Sequence, residues 1–587
     1  MTRPLPAVVT ALAVMAALCL SACTGLPESG PIVDAESMTQ ADGANAPDIN
    51  AVPPVENATG VEIASGFLDA MTASPTRIDV AKEYLSSSAA EEWDPEAATI
   101  IYADKLPPSD EVTRVTIPLV DADRIGRSGG WEGGLSTFEQ SLRLDLTIED
   151  GEYRITNPPD ALVVPAPWFN QRFRPASLYY FDPTGRILVP EPVYLPRGEQ
   201  LATSLIAGLL AGPGPDRADV TRSYLPKGLT LRLSVPVSAD GVADIQLDGN
   251  PTTQTEAGIE RMLAQLAWSL RQEPAISSFR VTIGDEAVQV PGGGTDYSVD
   301  QAGSYDPTVQ GASTDIFGLR DGVLSVRDGN QLRPVPGPFG AADRDVRAAA
   351  VNLDATRAAV VTTDGTTVLE ATSDEGAERS AEVAEVFSEG VDLLPPHWDF
   401  AHRLWLVDRT PEGAVVRVVE RGRVRRIAVP AVSGMTVKSF LVSRDGTRIA
   451  AVVRGKQGDQ LRIGRIAVND RGEPNAVRAT VPLVTDPGIP LRITDIAWNS
   501  PTSIALLTPV VPGESFEVRT VSVDGSPSTP DGFSTTVSGR LLGLVGSPST
   551  DVPTYGATAT SLLDLLADES YGFALNDPSP TGLRYAG

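Results

Sequence analysis

Cysteine and histidine are scarce in this 587-residue sequence, which has two of each. Cys19 and Cys23 both precede residue 24, so the rest of the chain can form no internal disulfide and no cysteine metal cluster. His397 and His402 are too few for most histidine-ligated metals and most histidine acid/base chemistry. We therefore expect no metal ion and no cofactor, and a stability that comes from packed cores.

Positive charge is also in deficit. The 47 Lys and Arg residues face 76 Asp and Glu residues, which gives a formal net charge of −29. Because such a chain repels a phosphate backbone, nucleic acid is not an expected partner, and solubility explains the acidity best. The one local basic run, Arg417 to Arg426, could meet an anionic partner or lipid head groups, but a solvated edge strand is favoured.

Long hydrophobic runs are missing beyond the amino-terminal segment. None of the later apolar stretches approaches the roughly 18 residues that a membrane-spanning helix needs. Leu5 to Leu18 form a shorter apolar run that follows Arg3, and this arrangement is typical of a signal peptide. The sequence therefore predicts export of the chain, with residues 1–22 as the signal peptide.

The next four residues are Leu20, Ser21, Ala22 and Cys23, and they resemble the lipobox of bacterial lipoproteins. An ordinary cleavage site after Ala22 is disfavoured, because bulky Leu20 would stand where a small residue is wanted. The resemblance implies cleavage before Cys23 and conversion of Cys23 into an N-palmitoyl, S-diacylglycerol cysteine. Each buried methylene of such a lipid contributes about 0.8 kcal/mol, so we expect a chain anchored on the extracytoplasmic face of the cell membrane.

Residues 23–58 are rich in proline, glycine and small acidic side chains, which predicts a flexible stalk. Residues 59–197 are predicted to form a small α+β domain. Its first helix follows the capping box Thr59-x-x-Glu62, and alternating Leu142, Leu144 and Leu146 predict a strand that turns at Asp150-Gly151.

Residues 198–291 predict the order αββαβ, with helices starting at Leu201 and at a second capping box, Thr253-x-x-Glu256. This segment resembles the GerMN domain of sporulation and cell-envelope proteins through Leu209 to Pro213, Leu225 to Leu229 and Val242 to Ile245. Such domains are associated with assembly and binding. A linker is expected over residues 292–309, where three consecutive glycines stand.

Residues 310–587 predict a β-propeller of about six blades. Strand centres near Ala359, Trp405, Ala451 and Ala505 recur at roughly 45–55 residues, which is blade spacing, and Asp-Gly pairs supply tight hairpins. An irregular array of β-sandwiches is the alternative. The only helix expected in this region covers Leu562 to Leu566. The fold class is thus multidomain, α+β followed by all-β.

No catalytic residue can be assigned from the sequence. A histidine base for a serine nucleophile could come only from His397 or His402, but neither accompanies a Gly-x-Ser-x-Gly motif, and both are expected to be hydrogen-bonding surface residues in a turn. Paired carboxylates could still hydrolyse glycosides, although the many acidic residues do not single out a pair. We expect a protein that is not an enzyme.

The whole arrangement resembles the LpqB family of actinobacterial lipoproteins. The motifs that carry the resemblance are Trp398-Asp399 with Arg403 to Arg409, and the regular blade from Val442 to Ala450. His397 is a departure, since a small polar residue is expected there. The resemblance implies an LpqB-type propeller and an accessory role beside the Mtr two-component system, in which the lipoprotein contacts the extracytoplasmic domain of a sensor kinase and affects cell-envelope or division signalling.

Two other functions stay open at this point. One is a cell-wall glycan- or peptide-binding protein, or a weak carboxylate hydrolase, and the other is a scaffold in an envelope assembly. The partner-binding surface, the exact number of blades and the oligomeric state do not follow from the sequence.

Overall fold

The protein is described from a computed structural model over residues 51–587. Within that range, residues 74–77, 199, 215–216, 218, 251–254, 342–344, 470, 484–489, 528–531, 568–571 and 576–579 are not described. The signal peptide, the lipobox with Leu20, Ser21, Ala22 and Cys23, and most of the predicted stalk lie outside the described residues. Within them, no helix is long and apolar enough to cross a membrane.

The first domain packs short helices against two small sheets. Its helices are α1 (Gly60–Met71), α2 (Ile78–Lys82), α3 (Ser87–Glu92) and α4 (Ala166–Arg172). Its strands are β1 (Ala98–Tyr102), β2 (Asp104–Lys105), β3 (Ser109–Glu111), β4 (Arg114–Val120), β5 (Asp123–Gly126), β6 (Trp131–Gly134), β7 (Ser141–Glu149), β8 (Glu152–Ile155) and β9 (Leu162–Pro165). The sheets have the orders β6-β5-β1-β9 and β2-β4-β7-β8, and β3 also pairs with β4.

The first helix begins where the capping box predicts. The Thr59 hydroxyl accepts a hydrogen bond from the Glu62 amide at 3.3 Å, and the Glu62 carboxylate accepts one from the Thr59 amide at 2.7 Å. The helix buries Ile63, Phe67 and Leu68 on the side that faces the sheet, as helical spacing requires. The predicted hairpin is also confirmed, since β7 pairs with β8 around Asp150 and Gly151, both at positive φ.

The second domain is an α/β layer built around a parallel pair of strands. It comprises β10 (Phe173–Phe181), β11 (Leu188–Pro196), α5 (Leu201–Ala211), β12 (Thr230–Leu231), β13 (Val242–Asp248), α6 (Glu256–Leu270), β14 (Ser278–Ile283), β15 (Glu286–Ala287) and β16 (Tyr297–Ser298). Strands β13 and β14 are parallel, and α6 is the crossover between them. The predicted order αββαβ is therefore present.

Both limits of this domain along the sequence differ from the prediction of residues 198–291. The hairpin β10–β11, expected within the first domain up to residue 197, buries Leu178 and Tyr180 in the same core as α5 and α6, because one face of each helix needs a sheet to cover it. The expected linker 292–309 is not free of the domain either. Tyr297 pairs with Phe279 of β14 and is buried with Val299 in this core.

The cap of α6 also differs from the prediction. The Thr255 hydroxyl accepts a hydrogen bond from the Gly258 amide at 3.1 Å and starts the helix. Thr253, the predicted cap, lies outside the described residues. Two threonines separated by one residue make the capping pattern ambiguous in the sequence.

The remainder forms six four-stranded antiparallel sheets in the described part of the chain, which confirms a propeller of about six blades. Blade one contains β17 (Ile316–Arg320), β18 (Val323–Asp328), β19 (Gln331–Pro334) and, from the far end of the domain, β40 (Thr581–Tyr585). Blade two contains β20 (Val346–Val351), β21 (Arg357–Thr362), β22 (Val368–Thr372) and β23 (Ala384–Phe387). Blade three contains β24 (His397–Trp398), β25 (Leu404–Thr410), β26 (Gly413–Glu420) and β27 (Arg423–Ile427).

The other three blades follow the same order. Blade four contains β28 (Val437–Val442), β29 (Arg448–Gly455), β30 (Gly458–Val468) and β31 (Pro474–Leu483). Blade five contains β32 (Asp495–Ser500), β33 (Ser503–Val511), β34 (Ser515–Ser522) and β35 (Ser534–Ser538), and blade six contains β36 (Gly543–Val545), β37 (Tyr555–Ala557), β38 (Ser561–Asp564) and β39 (Gly572–Ala574). The helix expected over Leu562 to Leu566 is wrong, because Leu562 lies in β38 and pairs with Ala557 of β37.

The ring is closed by a pairing between segments far apart in sequence. Strand β40 pairs antiparallel with β17, with Ile316 opposite Tyr585, so blade one is completed by strands about 260 residues apart. A closed ring leaves no free edge at this joint, and it holds all innermost strands around one channel.

Candidate functional site

The propeller channel contains a cavity of about 440 Å³. It is lined by residues of the strands that begin blades three to six and by the closing strand β40. Those that matter for its chemistry are His397, Phe440, Asp495, Leu544 and Arg584. Each comes from a different blade, so only closure of the ring brings them together.

Arg584 and Asp495 give the cavity its polar character. The Nε and Nη1 atoms of Arg584 are buried and have no hydrogen-bond partner in the described part of the protein. Burial lowers the pKa of Arg584, although Asp495 acts in the opposite sense. Burial raises the pKa of Asp495, against the effect of the backbone amides of Leu544 and Ile496, the first of which donates to its Oδ2 at 2.9 Å.

His397 lines the same cavity from β24, which corrects the expectation of a surface residue. Its neutral form is favoured, because burial and the nearby charge of Arg584 lower its pKa to about 3, against a backbone hydrogen bond at Phe440. His402 is exposed in the turn that follows, at a φ of 56°. Among the described residues, no hydrogen bond joins either imidazole to a serine hydroxyl or a carboxylate, and no group of three or more metal-binding side chains is present.

The buried histidine predicts a pH dependence of stability. The unfolded chain binds a proton at His397 near pH 6.5, whereas the folded chain does so only near pH 3, so stability falls as pH drops below 6.5. Replacing His397 by asparagine should remove about 2 kcal/mol of the loss between pH 7 and pH 5. Urea unfolding of both proteins at the two pH values measures this difference.

His402 supplies the matched control, since it is exposed and asparagine tolerates its positive φ. The His402→Asn protein should keep the wild-type difference between pH 7 and pH 5. If His397→Asn also keeps it, the imidazole is not held neutral in the folded protein.

A second polar cluster joins the propeller to the second domain. Glu191 of β11 has only 1% of its side chain exposed, and its carboxylate accepts a hydrogen bond from Arg465 Nη1 at 2.7 Å. Arg448 Nη2 lies 3.4 Å from Oε1, and Arg217 Nε lies 4.0 Å from Oε2. Arg448 also donates to the Pro190 carbonyl. Burial alone would raise the pKa of Glu191, but the three arginines outweigh it and lower the pKa.

This cluster makes the second domain and blade four a joined body. Glu191 stands in the otherwise apolar strand Leu188–Pro196, and its partners Arg448 and Arg465 lie in β29 and β30. Around it, Arg186 lies over the ring of Phe400 at 5.2 Å. Sequence reasoning missed the cluster, although a lone glutamate in a strand of apolar residues was a usable signal that it has a buried partner.

Comparison with known proteins places these features in a family. The model of the Lipoprotein LpqB beta-propeller domain matches residues 322–571, and that of the Lipoprotein LpqB N-terminal domain matches residues 53–170. Between them, residues 177–289 match the Germane model, described as sporulation and spore germination. The chain belongs to the LpqB family.

Relatives in this family match most of the chain at modest identity. Lipoprotein LpqB of Thermobifida fusca is 27% identical over 523 residues, which cover 78% of this chain and 80% of the relative. Lipoprotein LpqB of Rhodococcus opacus is 24% identical, over 98% of this chain and 94% of its own length.

Solved structures resemble parts of the chain only distantly. TolB from Acinetobacter baumannii matches with a TM-score of 0.35 and 11% identity, over 61% of this chain and 99% of TolB. The first GerMN domain of the Bacillus subtilis sporulation protein GerM matches with a TM-score of 0.18 and 23% identity, over 22% of this chain and 96% of that domain.

The basic run of the LpqB-type propeller, Arg417 to Arg426, is partly exposed and partly ion-paired with residues of blades three and four. Arg423 and Arg426 are exposed on β27, the outermost strand of blade three, as an edge strand predicts. Arg425 is ion-paired with Glu420 at 3.0 Å and with Glu473 at 3.3 Å. The run is therefore divided between solvent and intramolecular pairs.

Proposed function

We propose that this chain is a membrane-anchored, extracytoplasmic accessory lipoprotein that binds and modulates a sensor histidine kinase of the Mtr type in cell-envelope or division signalling. Its anchor would be the lipidated Cys23, and its partner the extracytoplasmic domain of the kinase. The observation that carries the proposal is the Glu191 cluster, which joins the GerMN-like domain to the propeller through buried ion pairs.

A joined body of this kind suits binding. An ion pair removed from solvent holds its partners in one geometry, and breaking it leaves an uncompensated buried charge. The two domains therefore present their outer surfaces in a fixed relation, which lowers the cost of ordering a binding surface when a partner docks. The family name given to the relatives, lipoprotein, supports the anchor.

Crosslinking in the living cell tests the partner. A photoreactive amino acid replaces one exposed apolar residue at a time, with Val112 in the first domain, Leu233 in the second and Val510 in the propeller as the probes. We expect at least one probe to crosslink to a sensor kinase. Buried Leu205, which no partner can reach, is the control position and should give no crosslink. The proposal fails if kinase is absent from the products of all three probes while other envelope proteins are captured.

The anchor has a separate test. Replacing Cys23 by alanine removes the thiol that the lipid would occupy, so the chain should be released from the membrane fraction or left with its signal peptide uncleaved. Cell fractionation and mass spectrometry of the amino terminus measure this. The Cys19→Ala protein should stay anchored, since that residue would leave with the signal peptide. An unacylated mature amino terminus in the wild-type protein would overturn the assignment.

The cavity in the propeller channel favours a second candidate, a protein that binds a cell-wall glycan or peptide. Binding of purified peptidoglycan fragments, measured in parallel with crosslinking, separates the two candidates. Saturable binding without any kinase crosslink would favour the second.

A further inference from the structure

We propose that the propeller channel is a binding site for a small organic carboxylate, with Arg584 as the residue that holds the carboxylate group. The site is the cavity of about 440 Å³ enclosed by the innermost strands. That volume lies within the range of about 300–1,000 Å³ that is typical of small-molecule sites. This ligand is additional to the kinase partner, and neither proposal depends on the other.

The guanidinium of Arg584 is the group that needs a partner. Its Nε and Nη1 atoms are buried and donate to no acceptor among the described residues. Leaving a buried donor without a hydrogen bond is costly, more so when it is charged. In the described part of the chain, no ion pair within 4.0 Å joins Arg584 to Asp495, although both line the cavity. A carboxylate would pair with one edge of the planar guanidinium, where Nε and Nη2 stand side by side. It would supply Arg584 with a charge partner and its Nε with an acceptor.

The charges of the lining favour a ligand with no more than one negative charge. Arg444 is the second arginine of the cavity, and its guanidinium donates to the backbone carbonyls of Thr308 at 3.3 Å and Ala586 at 3.0 Å. The negative charge of Asp306 also acts on Arg444. Asp495 opposes these two cations. A carboxylate with one negative charge therefore disturbs this lining less than a phosphate group of about −1.5 to −2.

The other polar groups do not alter this balance. His397 is neutral at pH 7 and can contribute a hydrogen bond but no charge. Lys438 is already paired, since its Nζ donates to Asp459 Oδ2 at 2.7 Å and to the Ile493 carbonyl at 2.6 Å. Arg584 is thus the cation with two buried donors that lack a partner among the described residues, whereas Arg444 has one, its Nε.

The apolar part of the lining indicates an organic body behind the carboxylate. Phe440, Ile496 and Leu544 face the cavity beside the polar groups. Apolar walls beside a few convergent polar groups are typical of sites for small organic ligands. A bare inorganic anion would leave these walls without contacts.

The probe is 4-fluorobenzoate, observed by fluorine NMR in a titration of the full-length chain in detergent micelles, with empty micelles as the blank. We expect saturable binding with a dissociation constant in the millimolar range or below. The neutral analogue 4-fluorobenzamide should bind at least about tenfold more weakly, because it cannot form the charge-assisted pair.

The variant Arg584→Gln should lose at least about tenfold in affinity for 4-fluorobenzoate. Arg333 of β19 is the matched control, since it lies on the outermost strand of blade one with 70% of its side chain exposed. Arg333→Gln should bind as the wild type does. Arg584→Lys keeps the charge without the fork and should bind with intermediate affinity, so it serves in place of Arg584→Gln if that protein does not fold.

Several results would overturn the proposal. These are no binding of 4-fluorobenzoate to the wild-type protein, equal binding of the benzamide, and unchanged binding by both Arg584 variants. Displacement of the probe by inorganic phosphate at lower concentrations than by acetate would show that the site takes a different anion.

Discussion

Replacing Glu191 by alanine should lower the free energy of unfolding by about 3–5 kcal/mol, because it leaves Arg465 without a carboxylate partner among the described residues. Buried Arg448 would keep only Asp445, at 3.4 Å. The loss should fall on the unfolding transition that includes the propeller and the GerMN-like domain, since the carboxylate joins them. At pH 7 the contribution is complete. Because the pKa of Glu191 is held below its ordinary value of 4.5, the contribution is lost only as pH falls through that lowered pKa.

Urea unfolding at pH 7, followed by circular dichroism, measures this effect. Glu132 provides the matched control, because it is an ion-paired glutamate at 3.0 Å from Arg124 with 48% of its side chain exposed. Glu132→Ala should change the free energy of unfolding by less than about 1 kcal/mol. Equal midpoints for the two variants would mean that the Glu191 cluster does not hold the domains together.

The elements that follow local rules are those that the sequence predicts well. The capping box at Thr59 starts a helix because its hydrogen bonds involve residues only three positions apart. The hairpin turn at Asp321 and Gly322 follows from two adjacent residues that tolerate positive φ. Blade spacing works for a similar reason, since each blade is one hairpin-connected unit.

The domain limits are harder to predict from the sequence, because they depend on which helix a strand covers. The hairpin β10–β11 has the alternation of any half-buried strand pair, and nothing local shows that its partners are α5 and α6. The segment around Tyr297 has the glycine-rich composition of a linker, yet Tyr297 pairs with β14. The leucines of β38 illustrate the limit for short apolar runs, which fit a helix and a strand equally well.

The candidate functional residues also fall into two groups, those that the local sequence predicts and those that it does not. The assignment of Cys23 needs only its neighbours in the sequence, and it stays a prediction because the lipobox lies outside the described residues. The channel requires His397, Asp495 and Arg584 to meet, although almost 190 residues separate the first from the last. Their meeting depends on ring closure by β40, so no local pattern could predict it.

The second large loss of stability is expected for a substitution in blade three. Asp399 is buried and accepts hydrogen bonds from Arg403 Nε at 2.6 Å and from the Trp405 indole at 2.8 Å, as well as from the amide of Ala401 at 3.0 Å. Replacing Asp399 by alanine should cost about 3–5 kcal/mol, because the Arg403 side chain has only 5% of its surface exposed and would keep a charge without a partner. The Trp405 indole would lose its acceptor too.

Asp364 is the control that separates the contribution of the buried Asp399–Arg403 ion pair from that of an aspartate in a turn. Like Asp399, Asp364 accepts a hydrogen bond from the backbone amide two residues ahead, that of Thr366 at 3.1 Å. The Asp364 side chain, however, is exposed. Asp364→Ala should therefore cost no more than about 1 kcal/mol. Asp399→Asn keeps an acceptor and loses the charge, so its cost should fall between the two alanine variants. Urea unfolding that gives Asp399→Ala the same small loss of stability as Asp364→Ala would contradict this prediction. That result would mean that Arg403 finds water or another acceptor, and that Asp399 shapes the turn without stabilising the blade through its ion pair.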